Sequence, residues 1–359
     1  CVEHVLTVYG MTHVVLVYAL LSRILSVLCS VIPVIFFNTG VPGAIIGLTL
    51  ASFGSFLVGM RLLTLPFKDV TRRKTDLTTA DILRFSMPVF SSSLYGFVIG
   101  SASQFFVSRY LGVENFAMFA NGYRELPIAG IVIGAVAGIL LPEFSRMTKG
   151  GSDSKQYLVL WKNVVLKSAA VIYPFSLYCC IFAPEIMGVL YGTVYREAAD
   201  LFRIVTIINL VRIVPYGPIM FALGKGKIFA KAHLVTALLL LGLDFLCVTF
   251  FPSLSAIAII ATTTTVFCLV VLMVSTARLL NTGLSRLMPW KSMFKILSVS
   301  TFSCFLGSCA VNLIGVTRDF PALLSGFLIS IVIYLPLSYI AGINYARLLK
   351  PLVSTNQRK

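Results

Sequence analysis

Two arginines and one acid stand where charge is costly. Arg23 lies about 12 residues into the first long apolar run and Arg212 about 10 into the sixth, so at about 1.5 Å per residue both reach roughly 15–18 Å of depth, near a bilayer midplane. An arginine there costs at least about 2.5 kcal/mol, so it must face a partner or a wet cavity rather than lipid. Its planar fork matches phosphate oxygens, and a low-dielectric cavity strengthens that attraction. The alternative is structural: an ion pair with Asp244, or bonds to carbonyls freed near Pro215 and Pro218. Arg203, nearer the outer end of the same run, can join an anion site or simply snorkel to the surface. Asp244 is the acid well inside an apolar run; it suits a proton or sodium site, and pairing with an arginine accounts for it equally well.

A second cluster opens the stretch NGYRELPIAGIVIGAVAGILLPEF, Asn121 to Phe144. Glu125 near a helix start is favoured by the macrodipole, and Pro127 suits the first turn because its missing donor would be unpaired anyway. Gly130, Gly134 and Gly138 recur every fourth residue, a small-residue stripe along which a neighbouring backbone could pack closely. Arg124 and Glu125 are either parts of a capped, tightly packed helix start or an external gate pair.

The elements that must hold these groups follow from composition. The 359 residues are 58% hydrophobic and 12% charged, with a mean hydropathy of +0.95. Soluble domains carry roughly 25% charged residues, and a bilayer-spanning helix needs about 20 apolar residues in a row. Such runs occur at 11–37, 42–65, 85–107, 126–147, 163–183, 202–222, 228–250, 254–277, 293–315 and 321–343. The short alternating segments of a transmembrane barrel do not occur. The expected fold is all-α, a polytopic transmembrane bundle of about ten spans.

The net charge of +16 is consumed by topology. Alternate connections hold Lys68, Arg72, Arg73, Lys74 and Arg84; Arg146, Lys149, Lys155, Lys162 and Lys167; Lys225, Lys227 and Lys231; Arg278, Arg286, Lys291 and Lys295; and Arg347, Lys350, Arg358 and Lys359. The opposite connections carry only Arg109, Arg124, Arg196 and Arg318 as cations. By the positive-inside rule the rich set is cytoplasmic, with both termini on that side, and no basic face is left for nucleic acid.

Conventional catalytic and metal constellations are missing from the sequence. The eight cysteines show no CxxC spacing and read as small packing residues; the three histidines, His4, His13 and His233, have no ligand spacing, so no metal is expected. Neither a Walker-type glycine loop nor a nucleophile beside a histidine occurs, and no cofactor is expected. Residues 41–63 and 253–280 echo one another, each ending in Arg-Leu-Leu, a weak symmetry of the kind transporter repeats leave.

The stretches LRFSMPVFSSSLYGFVIGSASQFFVSRYLG and ENFAMFANGYRELPIAGIVIGAVAGILLPEFSRM, followed by YGTVYREAADLFRI and VRIVPYGPIMFALGKGK, resemble bacterial polysaccharide (O-antigen type) flippases of the multidrug, oligosaccharidyl-lipid and polysaccharide exporter superfamily. The resemblance implies a two-lobe transporter in which the Arg-Phe-Ser-x-Pro opening ordinarily begins the seventh span, so about four N-terminal helices would be absent. On that reading 1–65 is the remnant of the N-terminal lobe and 66–84 a cytoplasmic linker. Residues 85–280 form the C-terminal lobe, and 281–359 add two spans and a tail.

It further implies translocation of a polyprenyl-pyrophosphate-linked oligosaccharide across the bacterial inner membrane by alternating access, without catalysis. Arg23, Arg212 and Arg203 would form a cationic cleft, Arg124 and Glu125 an external gate, and Asp244 a coupling acid. The partners would be the lipid-linked substrate, membrane lipids and other membrane proteins of polysaccharide assembly. Rival readings are a cation-coupled multidrug exporter, which should line its cavity with acids, a membrane-embedded polysaccharide polymerase, which should carry large external loops, and a non-transporting scaffold.

Overall fold

A computed structural model of the protein describes residues 2, 5–6, 9–67, 78–125, 127–316, 318–343 and 345; these are helices and connections, with no strand among them. Cys1, His4, the basic cluster Lys68, Arg72, Arg73 and Lys74, and the basic tail Arg347, Lys350, Arg358 and Lys359 lie outside the described residues. Among those described, nine helices are long and apolar enough to cross a membrane. The chain divides into two compact units, Cys1–Thr78 and Thr79–Lys359.

The first unit is a helical hairpin of α1 (Thr12–Phe37) and α2 (Gly40–Leu62). Asn38 ends α1 in the left-handed conformation (φ 49°), which turns the chain sharply into the next helix. The two helices cross closely at Gly47, where any added Cβ would lie 1.8 Å from the carbonyl oxygen of Cys29. Tyr18 adds a bridge, its hydroxyl donating to the Ser55 carbonyl at 3.0 Å.

The second unit begins with α3 (Thr79–Tyr110), which has Asp81 in its first turn as the dipole favours. It continues through α4 (Val113–Gly122), α5 (Pro127–Lys149), α6 (Ser154–Ile181) and α7 (Ala183–Tyr191), then a 3-10 turn over Thr193–Ala198. Pro127 is the first residue of α5, as its missing N–H dictates. After a broken stretch come α11 (Gly226–Phe250), α12 (Leu254–Leu279), the short α13 (Leu284–Leu287), α14 (Trp290–Ile314) and α15 (Asp319–Ile340).

The broken stretch is where the structure departs from the periodicity. The continuous apolar run at 202–222 forms three pieces, α8 (Ala199–Thr206), α9 (Ile208–Val211) and α10 (Gly217–Ala222). Pro88, Pro142, Pro174 and Pro336 sit inside unbroken helices, so a single proline does not explain the difference. Here Pro215 and Pro218 fall three apart and remove two neighbouring donors, and the helix is not re-formed until Gly217.

The core holds this stretch in place. Ile213, Val214, Ile219 and Met220 are buried together with Trp161, Val165 and Ile172 of α6, Leu140 and Phe144 of α5, and Ile257 and Leu272 of α12. The α11 helix runs along α3, α10 packs on α5, and α14 lies against α6 and α15. The glycine stripe behaves otherwise than expected. Gly130, Gly134 and Gly138 are exposed, and nothing lies within 4 Å of a Cβ built on any of them. The core uses the opposite positions of α5, Ala129, Val136, Leu140 and Phe144, and leaves the stripe open.

Candidate functional site: an ion pair at a helix break

The break is built residue by residue around Arg212. The last turn of α9 closes when the Arg212 N–H donates to the Ile208 carbonyl at 2.8 Å. Pro215 has no N–H to offer Val211, so the Val211 carbonyl instead accepts from Ile213 at 3.1 Å. Arg212 (φ −86°, ψ 68°) is therefore the centre of an inverse γ-turn. The next orphan carbonyl, that of Leu210, accepts the Tyr173 hydroxyl of α6 at 3.0 Å. At the end of α8 the Ile204 carbonyl accepts the Thr262 hydroxyl at 3.4 Å, and Thr262 Oγ1 lies 3.0 Å from the Tyr123 hydroxyl. Backbone freed by the break is thus bonded from α6 and α12, as an unwound segment in a membrane requires.

Fixed in this way, the Arg212 side chain leaves the turn and pairs with the carboxylate of Glu125, two residues before α5. Both side chains remain partly open, 32% exposed for Arg212 and 22% for Glu125. Arg212 Nε is buried with no partner, as are Oδ1 of Asn209 and the hydroxyl of Tyr216, whose ring lies 5.4 Å from that of Trp161. The site therefore holds a partly exposed guanidinium, one spare donor and a single counter-charge. Such a group can exchange its carboxylate for another oxyanion without first being stripped of water.

The remaining candidates are distributed more widely. Arg124 is exposed, and its neighbour Glu125 pairs with Arg212 and not with it. Arg203 bonds to Asp200 three residues earlier at 2.8 Å and donates to the Cys180 carbonyl at 3.2 Å, with 41% of its side chain exposed. It is satisfied locally. Arg23 lies midway along α1, exposed within its own unit, and forms no ion pair among the described residues.

Asp244 is not the partner of an arginine: it is fully buried in α11, with Ser103 of α3 donating to Oδ2 at 2.7 Å and Oδ1 left without a partner. Nothing in the sequence singles out Ser103, Tyr173 or Thr262. Hydroxyls are common in membrane helices, and nothing local marks one whose partner lies 139 or 141 residues away. Among the described residues no group of three His, Cys, Asp or Glu side chains is placed to hold a metal, and the seven described cysteines are free.

Long apolar helices around a broken one, with a charged pair at the break, define a multi-pass helical membrane protein. More particularly, residues 11–200 match the family described as "Polysaccharide biosynthesis protein", over half the chain, and the protein belongs to that family. The resemblance to a polysaccharide family read from its motifs is borne out. The fold is similar to that of a solved structure, the lipid II flippase MurJ in an inward closed conformation, with a TM-score of 0.59 and 16% identity; the match covers 92% of this chain and 67% of that one. No curated protein matches the sequence.

Proposed function

We propose that the protein is a flippase that carries a polyprenyl-pyrophosphate-linked oligosaccharide across the bacterial inner membrane by alternating access, making and breaking no covalent bonds. The observation that carries this reading is the partly exposed Arg212–Glu125 pair at the helix break. Arg212 offers its fork to the pyrophosphate, and Glu125 serves as the counter-charge that the headgroup replaces on arrival and that returns when it leaves. A carboxylate that can be displaced keeps the empty site neutral, which lowers the cost of moving it past lipid. Membership of a polysaccharide biosynthesis family and the likeness in fold to a lipid flippase agree with this chemistry. On this reading the richly basic connections face the cytoplasm, and both ends of the chain with them.

Asp244 is the coupling acid in this scheme. A fully buried carboxylate with one hydroxyl partner needs a proton or a cation to complete it, and either one can cross with the conformational change. Within the second unit Arg203 belongs to the binding path as a secondary cation and Arg124 to its outer mouth.

The test is translocation of a labelled lipid-linked oligosaccharide by full-length protein in proteoliposomes. Arg212→Gln should reduce the rate by about 100-fold or more, the loss expected when a charged bond of about 3 kcal/mol is removed. An unchanged rate takes Arg212 out of the mechanism, and no transport by correctly folded wild-type protein under any ion gradient removes the flippase reading.

A further inference from the structure

The same end of α3 and α11 carries a second cationic feature that the transport scheme does not use. Arg84, Lys227 and Lys231 line one open groove of about 440 Å³, together with Met87, Pro88, Ser91, Tyr95 and Leu234. Gly226 sits at its head: a Cβ there would lie 2.9 Å from the Phe221 ring and 3.3 Å from Pro88, so a larger residue would press on both. Lys227 and Lys231 are four residues apart, one above the other on the same helix face, and they meet Arg84 across the groove. All three side chains are exposed, no acid lines the groove, and none of the three forms an ion pair among the described residues.

Three clustered cations at a helix start repel one another and oppose the positive end of the α11 dipole. The α5–α6 groove shows the usual remedy, since Glu143 bonds Arg146 at 2.6 Å beside Lys155. Among the described residues no acid lines this groove to play that part. An anion from outside would find three unpaired cations here, and the shape says what kind it would be. The cations stand at the helix ends, whereas Met87, Pro88 and Leu234 continue the wall along the helices towards Tyr95, about 16 Å from Arg84 along α3. A charged mouth with an apolar wall running to bilayer depth fits a molecule with a phosphate head and a hydrocarbon body.

We propose that this groove is a binding site for the phosphate headgroup of an anionic phospholipid of the surrounding leaflet. Arg84 grips the phosphate oxygens as a fork, Lys227 and Lys231 neutralise it as point charges, and an acyl chain lies along the apolar wall. The lipid ties the first helix of the second unit to α11, the helix that carries Asp244. The proposal does not rest on the flippase reading, because it concerns an exposed charge cluster that is present whatever is transported.

The experiment uses full-length protein stripped in neutral detergent and re-equilibrated with equal amounts of phosphatidylglycerol and phosphatidylcholine, with retained lipid quantified by mass spectrometry. Wild-type protein should retain phosphatidylglycerol in preference by about tenfold, and Arg84→Gln/Lys227→Gln/Lys231→Gln should abolish the preference. Lys231→Gln alone should reduce it partway, which guards against misfolding of the triple variant. Arg146→Gln/Lys155→Gln, in the neutralised groove, should leave it intact. An unchanged preference in the triple variant overturns the proposal. Displacement of the retained lipid by inorganic pyrophosphate also overturns it, since that assigns the groove to a free anion.

Discussion

Arg212 and Asp244 are both charges inside a helical membrane bundle, and the fold treats them oppositely. Arg212 sits at a break, one third exposed, with a full counter-charge supplied by Glu125. Asp244 sits in the unbroken α11, with no exposure at all and only the Ser103 hydroxyl for company. The cation is neutralised by protein and partly exposed; the acid is sealed, and the described residues leave it incomplete. A site meant to exchange ligands needs the first arrangement, and one meant to carry a proton or small ion needs the second. The break makes the contrast possible. An inverse γ-turn aims a side chain out of the helix row, whereas Asp244 can only point where its helix face points.

The contrast can be broken most severely by reversing one sign. Glu125→Arg would place two guanidinium groups together and should destabilise the protein by about 3 kcal/mol or more. The swapped variant Glu125→Arg/Arg212→Glu should recover most of that loss; detergent-unfolding curves of the two decide, and equal destabilisation would mean the pair does not interact. At Asp244 a smaller effect is expected. Asp244→Asn keeps an acceptor for Ser103 and should change stability by no more than about 1 kcal/mol, while uncoupling transport from an imposed ion gradient. A stability loss with coupling retained would make Asp244 a packing residue. The smallest effect sharpens the picture of α5. Gly134→Ala on the open stripe should shift stability by less than about 0.5 kcal/mol, whereas a loss of several times that would show that a neighbour occupies the stripe.

Much of this was legible in one sequence, and the remainder has physical reasons for being hidden. Uninterrupted apolar runs located the long helices because a bilayer imposes their length; α1, α5, α11 and α12 all fall within a few residues of the runs that announced them. The run at 202–222 is just as apolar and yet breaks, because hydropathy does not register donors, and two prolines three apart remove two of them. The depth of Arg212 and Asp244 could be counted along the chain. Their partners could not, since Glu125 precedes Arg212 by 87 residues and Ser103 precedes Asp244 by 141. Sequence adjacency is no guide to pairing either: Glu125 bonds Arg212 from another element and not its neighbour Arg124.

The central claim is that Glu125 and the headgroup of the substrate compete for Arg212, and it has a signature of opposite signs. Equilibrium binding of a polyprenyl-pyrophosphate sugar to the full-length protein should tighten by about tenfold in Glu125→Gln, which removes the competitor, and weaken by about tenfold or more in Arg212→Gln, which removes the binder. If both substitutions weaken binding alike, or neither changes it, the pair is a structural clasp and the exchange does not occur.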